Sequence, residues 1–217
     1  MTLQLYGHPF SSYTWKALVP FHAYDLPFEF RMLDQDQPEN YAFVQAASPQ
    51  GKFPVLVDGS TTIFEATSVI EYLALHHLPE AGLIPADPDA ALEVRTMDRV
   101  FDNYVMNQMQ VSVNEAIRNP DDPDPAILEE VGQKLDRTYA WLESWLGGYE
   151  QPDHVTLIEC AAAPSLFYAD WVQQISDEFP RLKAWRAHLL AIPAVSRCVE
   201  DARPWRHYFP LGAPDRD

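Results

Sequence analysis

The sequence is poor in cysteine and in positive charge. Only two of its 217 residues are cysteines, Cys160 and Cys198, and neither belongs to a Cys-x-x-Cys pair or another zinc-type spacing. Lysine and arginine number 15 against 32 aspartates and glutamates, which gives a formal net charge of −17. Such a surface repels nucleic-acid phosphates and anionic membranes. We therefore expect no metal, no nucleic-acid partner and no membrane partner, and two buried free thiols in a reducing compartment.

Long apolar runs are also missing. No stretch approaches the ~18 apolar residues of a membrane-spanning helix, and no charged-then-apolar leader opens the chain. The sequence thus predicts a cytoplasmic protein. With 217 residues, 47% of them apolar and 12% aromatic, the chain is long enough to bury a core as one large domain or two small ones.

The N-terminal region begins with alternating strand and helix patterns. Residues 3–7 and 28–32 alternate apolar with polar side chains, which is typical of short strands. Between them, apolar residues recur over residues 15–22 at the spacing of one helical face. Pro20 removes a backbone hydrogen bond from this helix, so we expect a kink or an early end near Lys16.

A hairpin flanked by two helices follows. Asp58-Gly59 is a strong two-residue turn signal, so residues 55–57 and 62–64 are predicted to be antiparallel neighbours. Weak helical periodicity precedes the hairpin at residues 39–46, and a clearer helix follows it and ends near His76. The predicted element order of this region is βαβαββα.

A proline-rich segment divides the chain. Residues 78–89 contain three prolines and show no periodicity. We therefore expect an N-terminal domain of residues 1–78, a linker of residues 79–88 and an all-helical C-terminal domain of residues 89–217.

The C-terminal domain is predicted to open with one long helix. Apolar residues at steps of three and four are expected to form its core face: Val94, Met97, Phe101, Tyr104, Val105, Met109, Val113 and Ile117. Further along, Thr156-Leu157-Ile158-Glu159 has the capping-box pattern, in which hydroxyl and carboxylate each accept a backbone N–H at the start of a helix. The aromatic tail at residues 205–209 is expected to pack back on the core or to close a pocket.

The Phe53-Pro54 step begins the first hairpin strand. Because proline has no N–H for a strand ladder, the residue before it can offer its own N–H and C=O to a ligand lying alongside. An ordinary edge strand opened by proline would give the same pattern. The X-Pro bond is also a candidate for the cis form.

Four segments, in this order and spacing, resemble those of the cytosolic glutathione transferases, and the resemblance covers nearly the whole chain. They are Tyr6-Gly7-His8-Pro9-Phe10-Ser11-Ser12-Tyr13, Gly51-Lys52-Phe53-Pro54-Val55-Leu56, Glu65-Ala66 followed by Tyr72-Leu73, and Val155-Thr156-Leu157-Ile158-Glu159. The serine after His-Pro-x resembles the phi class, and Ser11-Ser12-x-x-Trp15 resembles the zeta class.

The resemblance implies a fold and a co-substrate. The expected fold is an α+β thioredoxin-like N-terminal domain followed by an all-α helical-bundle C-terminal domain. Glutathione would be the co-substrate, without a metal. A cytoplasmic homodimer acting in detoxification is also implied, with contacts through the helix of residues 66–76 and the long helix after the linker.

The resemblance also assigns the thiol-activating group. Ser11 aligns best with the serine that donates a hydrogen bond to the glutathione sulfur, and Ser12 is the alternative. Both serines could instead do no more than cap the helix. Phe53, before Pro54, would pair its backbone with the cysteinyl unit of glutathione.

Two departures from the family pattern bear on the rest of the glutathione site. Glu65 would bind the ammonium group and the amide of Ala66 the γ-glutamyl carboxylate, but Ala66 stands where the family usually has serine. The hydroxyl of Thr67 could replace the missing one. Glu39-Asn40 stand where phi-type relatives offer His or Lys to the glycyl carboxylate, which leaves Lys52 as the nearest obvious cation.

The electrophile site is expected between the domains, with contributions from Phe10, Tyr13, Tyr104 and Gln108. The first hypothesis for function is a transferase that conjugates the glutathione thiolate to small hydrophobic electrophiles. A zeta-like glutathione-dependent isomerase of an unsaturated acid is one alternative, and it would need cations in this site. A catalytically silent protein of the same fold, which binds a ligand or a partner, is the other.

Overall fold

The computed structural model describes residues 2–217. Its first part consists of β1 (Leu3–Gly7), α1 (Ser12–Ala23), β2 (Phe28–Met32), α2 (Pro38–Ala47), β3 (Val55–Asp58), β4 (Thr61–Phe64) and α3 (Ala66–His76). The strands form one four-stranded sheet in the order β2-β1-β3-β4. β1 runs parallel to β2 and antiparallel to β3, and β3 and β4 are the predicted antiparallel neighbours, with Leu56 opposite Ile63. The two turn residues are Gly59 and Ser60 rather than Asp58 and Gly59, because Asp58 still pairs with Thr61.

The second part is helical. It consists of α4 (Pro88–Val100), a π-helical segment (Phe101–Met106), α5 (Asn107–Arg118), α6 (Pro125–Trp145), α7 (Leu157–Val172), α8 (Pro180–Ala191), α9 (Pro193–Ala202) and a 3-10 segment (Arg203–Tyr208). The predicted fold class, a thioredoxin-like domain followed by a helical bundle, is thereby confirmed. The tail packs back on the core, because Phe209 is buried.

The helix α1 packs between the sheet and the helical part. Trp15 and Val19 are fully buried in a hydrophobic core that runs through both parts of the chain, and the Trp15 ring lies 4.9 Å from that of Phe167. The expectation that Pro20 shortens this helix is wrong, since α1 continues to Ala23. Burial of the residues on both sides of Pro20 outweighs the loss of one backbone hydrogen bond.

The long helix after the linker is also predicted imperfectly. Tyr104 and Ile117, assigned to its core face, are 58% and 65% exposed. The reason is the π-helical segment, in which the Asn107 N–H donates to the Asp102 carbonyl five residues earlier. This wider turn rotates the following residues away from a strict 3.6-residue period.

Both cysteines are free and buried, and burial raises the pKa of each thiol. Within residues 2–217, no helix is long and apolar enough to cross a membrane, and no group of three or more His, Cys, Asp or Glu side chains is placed to hold a metal ion.

The capping box at the start of α7 is present. The Glu159 carboxylate accepts the Thr156 N–H at 2.8 Å, and the Thr156 hydroxyl accepts the Ile158 N–H at 3.1 Å. Glu159 is fully buried and also accepts the Tyr149 hydroxyl at 2.6 Å. The box therefore closes the N-terminus of the most buried helix of the bundle.

Removing the Thr156 hydroxyl is expected to weaken this helix start. Thr156→Ala leaves the Ile158 N–H without its acceptor, so the free energy of unfolding should fall by about 1–2 kcal/mol. Thr156→Ser keeps the hydroxyl and should remain within about 0.5 kcal/mol of the unmodified protein. Urea unfolding followed by circular dichroism measures both variants. Equal stability of the two would contradict a stabilising cap.

Candidate active site

The N-terminus of α1 presents several hydrogen-bond donors. Ser11 is the N-cap residue, and its hydroxyl oxygen accepts the Thr14 N–H at 3.3 Å. Because the oxygen is the acceptor in that bond, the hydroxyl proton is left to donate elsewhere. The N–H groups of Ser12 and Tyr13 lie in the first turn, where they have no intrahelical acceptor. This helix end therefore combines a hydroxyl donor, amide donors and the positive end of the helix dipole.

Three hydrogen bonds hold the loop before α1. The Trp15 indole N–H donates to the Pro9 carbonyl at 2.5 Å, and the Tyr168 hydroxyl donates to the Phe10 carbonyl at 2.9 Å. The Phe10 N–H donates to Nδ1 of His8 at 3.1 Å, which requires that nitrogen to be unprotonated. Burial lowers the pKa of His8, which favours the neutral ring that this bond needs. These hydrogen bonds therefore restrict the position of Ser11.

Gly7 permits the close approach of this loop to α1. A Cβ atom at position 7 would lie 2.6 Å from Cγ2 and 2.7 Å from Oγ1 of Thr14. Thr14 is fully buried, and its hydroxyl also accepts the His8 N–H at 3.4 Å. Only glycine therefore fits where β1 ends.

The Phe53-Pro54 bond is cis. β3 begins only at Val55, and within residues 2–217 the N–H and C=O of Phe53 take part in no backbone hydrogen bond. The preceding residue is anchored, since the Ser48 hydroxyl donates to the Lys52 carbonyl at 2.9 Å. The main-chain groups of Phe53 are consequently open to a ligand lying alongside.

The turn into α3 has an unusual backbone conformation. Glu65, the N-cap residue of α3, has φ 71° and ψ 122°, a region that a non-glycine residue adopts only at a cost. Its side chain is exposed, whereas Ala66 behind it is buried. Such outliers concentrate at functional sites, because the surroundings must hold them in place. The turn places the free first-turn amides of α3 beside an exposed carboxylate.

The Thr67 hydroxyl is not free to replace the serine that Ala66 lacks. It donates to the Asp98 carboxylate at 3.0–3.2 Å, and the residue is only 6% exposed. Thr67 can therefore offer a bound carboxylate its backbone N–H alone.

The cation expected for the glycyl carboxylate is available. Lys52 is exposed and joins none of the ion pairs found within residues 2–217. Asn40, by contrast, is buried and donates to the Met32 carbonyl at 2.8 Å. This bond holds α2 against the end of β2, so the Asn40 amide nitrogen is already engaged within the protein.

A cavity of ≈ 250 Å³ brings several predicted site residues together. It is lined by Phe10, Ser11, Ser12, Tyr13, Phe53, Met109, Gln110, Val113, Ile117, Tyr168, Tyr208, Phe209 and Pro210. Both serines thus share one cavity with the open backbone of Phe53. Tyr104 and Gln108 lie outside this lining, because the π-helical segment turns them elsewhere.

Most of the apolar cavity wall was not predicted. At a regular helical period, one core face would contain Met109, Val113 and Ile117, so the sequence assigns them to the core. Tyr168 also lines the cavity but lies far away in sequence. The aromatic tail is the one signal in the sequence that points to this wall, since Tyr208 and Phe209 line the cavity. A larger cavity of ≈ 560 Å³ lies between the linker and the start of α7, and neither serine nor Phe53 lines it.

Tyr13 is placed poorly to ionise or to donate to a ligand. Its hydroxyl donates to Oδ1 of Asn107 at 3.0 Å. Burial, followed by the nearby carboxylates of Asp102, Glu65 and Asp98, raises its pKa. Serine hydroxyls and helix amides are therefore the donors that remain at this end of the cavity.

Comparison with known proteins agrees with this architecture. The family model described as "Glutathione S-transferase, N-terminal domain" matches residues 5–80. Glutathione S-transferase F6 of Arabidopsis thaliana is 26% identical over 91% of this chain and 99% of its own length. A protein named as a probable maleylacetoacetate isomerase, from Vibrio cholerae, is 22% identical over 94% of this chain and 98% of its own length.

Solved structures give the same fold. Glutathione transferase F7 of Populus trichocarpa superposes with a TM-score of 0.78 at 24% identity, over 92% of this chain and 99% of that one. A glutathione S-transferase of Methylobacterium radiotolerans, solved in complex with glutathione sulfonate, gives 0.76 at 23% identity, over 92% and 95%. The fold is a thioredoxin-like domain joined to a helical bundle. Residues 5–80 thus resemble the N-terminal domain of glutathione S-transferases, and sequence relatives of that name align with nearly the whole chain.

Filling the space at Gly7 should strain the loop that carries Ser11. We expect Gly7→Ala to lower the free energy of unfolding by about 1–3 kcal/mol, because its Cβ would overlap the Thr14 side chain. Thr14→Ala removes the obstructing atoms, so adding Gly7→Ala to that variant should cost much less. Thermal unfolding of the unmodified protein, the two single variants and the double variant gives the coupling energy between positions 7 and 14. Strictly additive losses would rule out the steric explanation.

Proposed function

We propose that the protein is a glutathione transferase in which Ser11 keeps the glutathione thiol ionised for attack on a small hydrophobic electrophile. The observation that carries the proposal is that the Ser11 hydroxyl, the N-terminus of α1 and the open backbone of Phe53 meet in one cavity. The Ser11 hydroxyl donates to the sulfur, and the first-turn amides add positive partial charge. Ser12 is the alternative donor.

The energetic demand on this helix end is modest. A thiol with a pKa near ~8.5 is only a few per cent ionised at neutral pH. Lowering that pKa by about two requires ~2.7 kcal/mol of preferential binding of the thiolate. One charge-assisted hydrogen bond and a set of oriented amides are sufficient for this.

The rest of glutathione fits the remaining groups. The cysteinyl backbone lies along Phe53, the ammonium group faces the Glu65 carboxylate, and the γ-glutamyl carboxylate accepts the N–H groups of Ala66 and Thr67. Lys52 faces the glycyl carboxylate. The missing hydroxyl at Ala66 weakens this binding by roughly 1.5–3 kcal/mol. The net charge of −17 opposes a ligand that is itself anionic.

The cavity lining favours an uncharged electrophile. None of its thirteen residues is charged at neutral pH, and most are aromatic or aliphatic. An isomerase acting on an unsaturated acid would need cations for the substrate carboxylates, and this lining offers none. We therefore prefer conjugation of neutral, preferably aromatic, electrophiles to the isomerase alternative, although one relative carries an isomerase name.

We place the protein in the cytoplasm as a homodimer of two-domain subunits, with the domain division at residues 79–88, of which residues 79–87 form neither helix nor strand. Large apolar side chains lie exposed on α3 and on the long helix, among them Leu75 at 73% and Leu92 at 64% exposure. Contact between these faces of two subunits would bury them.

Restoring the hydroxyl that Ala66 lacks tests the glutathione site by a gain of affinity. Glutathione titrated into the unmodified protein should release heat, and Ala66→Ser should lower the dissociation constant by about 10- to 100-fold through a new hydroxyl–carboxylate bond. The same change at Ala74, two turns further along α3, should have no effect. Absence of heat at millimolar glutathione in all three proteins would leave only the catalytically silent alternative.

The choice of thiol activator is tested by conjugation kinetics. Ser11→Ala should lower kcat/KM for a neutral aromatic electrophile at neutral pH about 10- to 100-fold, because the thiolate loses its hydroxyl donor. Ser12→Ala removes the same Oγ atom one residue away in the same cavity and is the matched control. It should lower kcat/KM less than Ser11→Ala does. The assignment is wrong if Ser11→Ala keeps full activity while Ser12→Ala loses it.

A further inference from the structure

A buried cluster of charges lies beneath the candidate site. The Lys16 ammonium, 1% exposed, is 2.6 Å from the Asp98 carboxylate and 2.7 Å from that of Asp102. Asp98 is fully buried, and Arg99 reaches its other oxygen at 2.9 Å from the exposed side. Two carboxylates therefore face two cations, and the cluster carries no net charge.

This cluster joins the two helices whose N-termini form the glutathione site. Lys16 lies one turn after Ser12 on α1, directly behind the end that faces the sulfur. Asp98 also accepts the Thr67 hydroxyl at 3.0 Å, and Thr67 is the second residue of α3, next to Ala66. A single carboxylate thus contacts the helix of the thiol end and the helix of the γ-glutamyl end.

The geometry resists displacement. Separating Lys16 from Asp98 would leave a charge buried without its partner, which typically costs several kcal/mol. Burial raises the pKa of Asp102 while Lys16 opposes that rise, as expected for a carboxylate that depends on this cation. The cluster therefore holds α1 and α4 in one relative position, and the Thr67 bond extends that constraint to the first turn of α3.

A second ion pair between α3 and α4 provides a contrast. Arg95 donates to Glu71 at 2.7 Å, but both side chains are substantially exposed, at 44% and 34%, and the pair does not reach α1. Exposed pairs of this kind contribute little to stability. Glu71 and Arg95 thus join the same two helices without touching the cluster.

We propose that Asp98, held by Lys16 and Asp102, is a positioning residue for the transferase reaction: through Thr67 it fixes the first turn of α3 at the distance from α1 that a bound glutathione must span. The inference rests on the proposed function. In this proposal the Thr67 side chain contacts Asp98, and only the Thr67 backbone N–H faces the ligand.

The test removes only the link to α3, since variants of Lys16 or Asp98 that leave a buried charge unpaired risk unfolding the protein. Thr67→Val keeps the shape and deletes the hydroxyl, Thr67→Ala deletes it without the added methyl, and Thr67→Ser retains it. We expect both deletions to raise the dissociation constant for glutathione about tenfold, with kcat at saturating glutathione within about twofold. Thr67→Ser, as the conservative rescue, should restore the affinity that the two deletions lose. Glu71→Gln, outside both the glutathione site and the cluster, is the control and should match the unmodified protein in both quantities.

The outcomes separate this inference from the proposed function. If the unmodified protein binds glutathione and Thr67→Val and Thr67→Ala bind it equally well, the positioning role is refuted while the proposed function stands. An equal loss of affinity in Thr67→Ser would also refute it, because that variant keeps the hydroxyl. A fall in kcat and melting temperature without a change in affinity would show a merely structural role. Failure of the unmodified protein to bind glutathione would overturn both proposals together.

Discussion

Helix α1 is held from two sides, and its position determines where the candidate site lies. This helix is buried against the sheet on one side and against the helical bundle on the other, with Trp15 packed on Phe167 and Tyr168 at centroid distances of 4.9 and 5.3 Å. Its one buried cation, Lys16, is paired to the long helix of the second part. Neither part of the chain can shift against the other without breaking these contacts. The N-terminus of α1 is consequently fixed before any ligand arrives.

A fixed helix end matters because stabilising an anion by dipoles depends on preorganisation. Donors that are already aimed at the position of the charge need no rearrangement when it forms. Here the loop held by Trp15 and Tyr168 leaves Ser11 at the cap, with its oxygen occupied by Thr14 and its proton free. The cavity beside it is apolar and carries no formal charge. A low-dielectric wall next to oriented donors strengthens their effect on a thiolate.

Much of this architecture could be predicted from the sequence because it follows from local patterns. The period-two strands, the hairpin indicated by Asp58-Gly59 and the Thr156 capping box each follow from a few neighbouring residues, and all three are present, although the turn itself falls on Gly59 and Ser60. The α1 segment was predicted as a helix but not in length, since the burial that carries it through Pro20 is a tertiary effect.

The features that escaped prediction depend on contacts distant in sequence. A single π-helical turn moves Tyr104 and Ile117 away from the expected core face. The spacing of apolar residues does not predict such a turn. The Thr67–Asp98 bond joins residues 31 positions apart, so the sequence alone does not show that the Thr67 hydroxyl has a partner. The serines and Phe53 can be proposed from the sequence because their neighbours in sequence carry the signal, whereas the rest of the cavity wall comes from three separate segments.

The role proposed for the N-terminus of α1 is to hold the glutathione sulfur as a thiolate. Its most direct test is the pKa of the thiol in the complex with the unmodified protein, followed by the ultraviolet absorbance of the thiolate as pH is raised at saturating glutathione. We expect a midpoint about two pH units below the ~8.5 of a free thiol. If the complex forms but its thiol titrates at the free value, this helix end does not stabilise the thiolate.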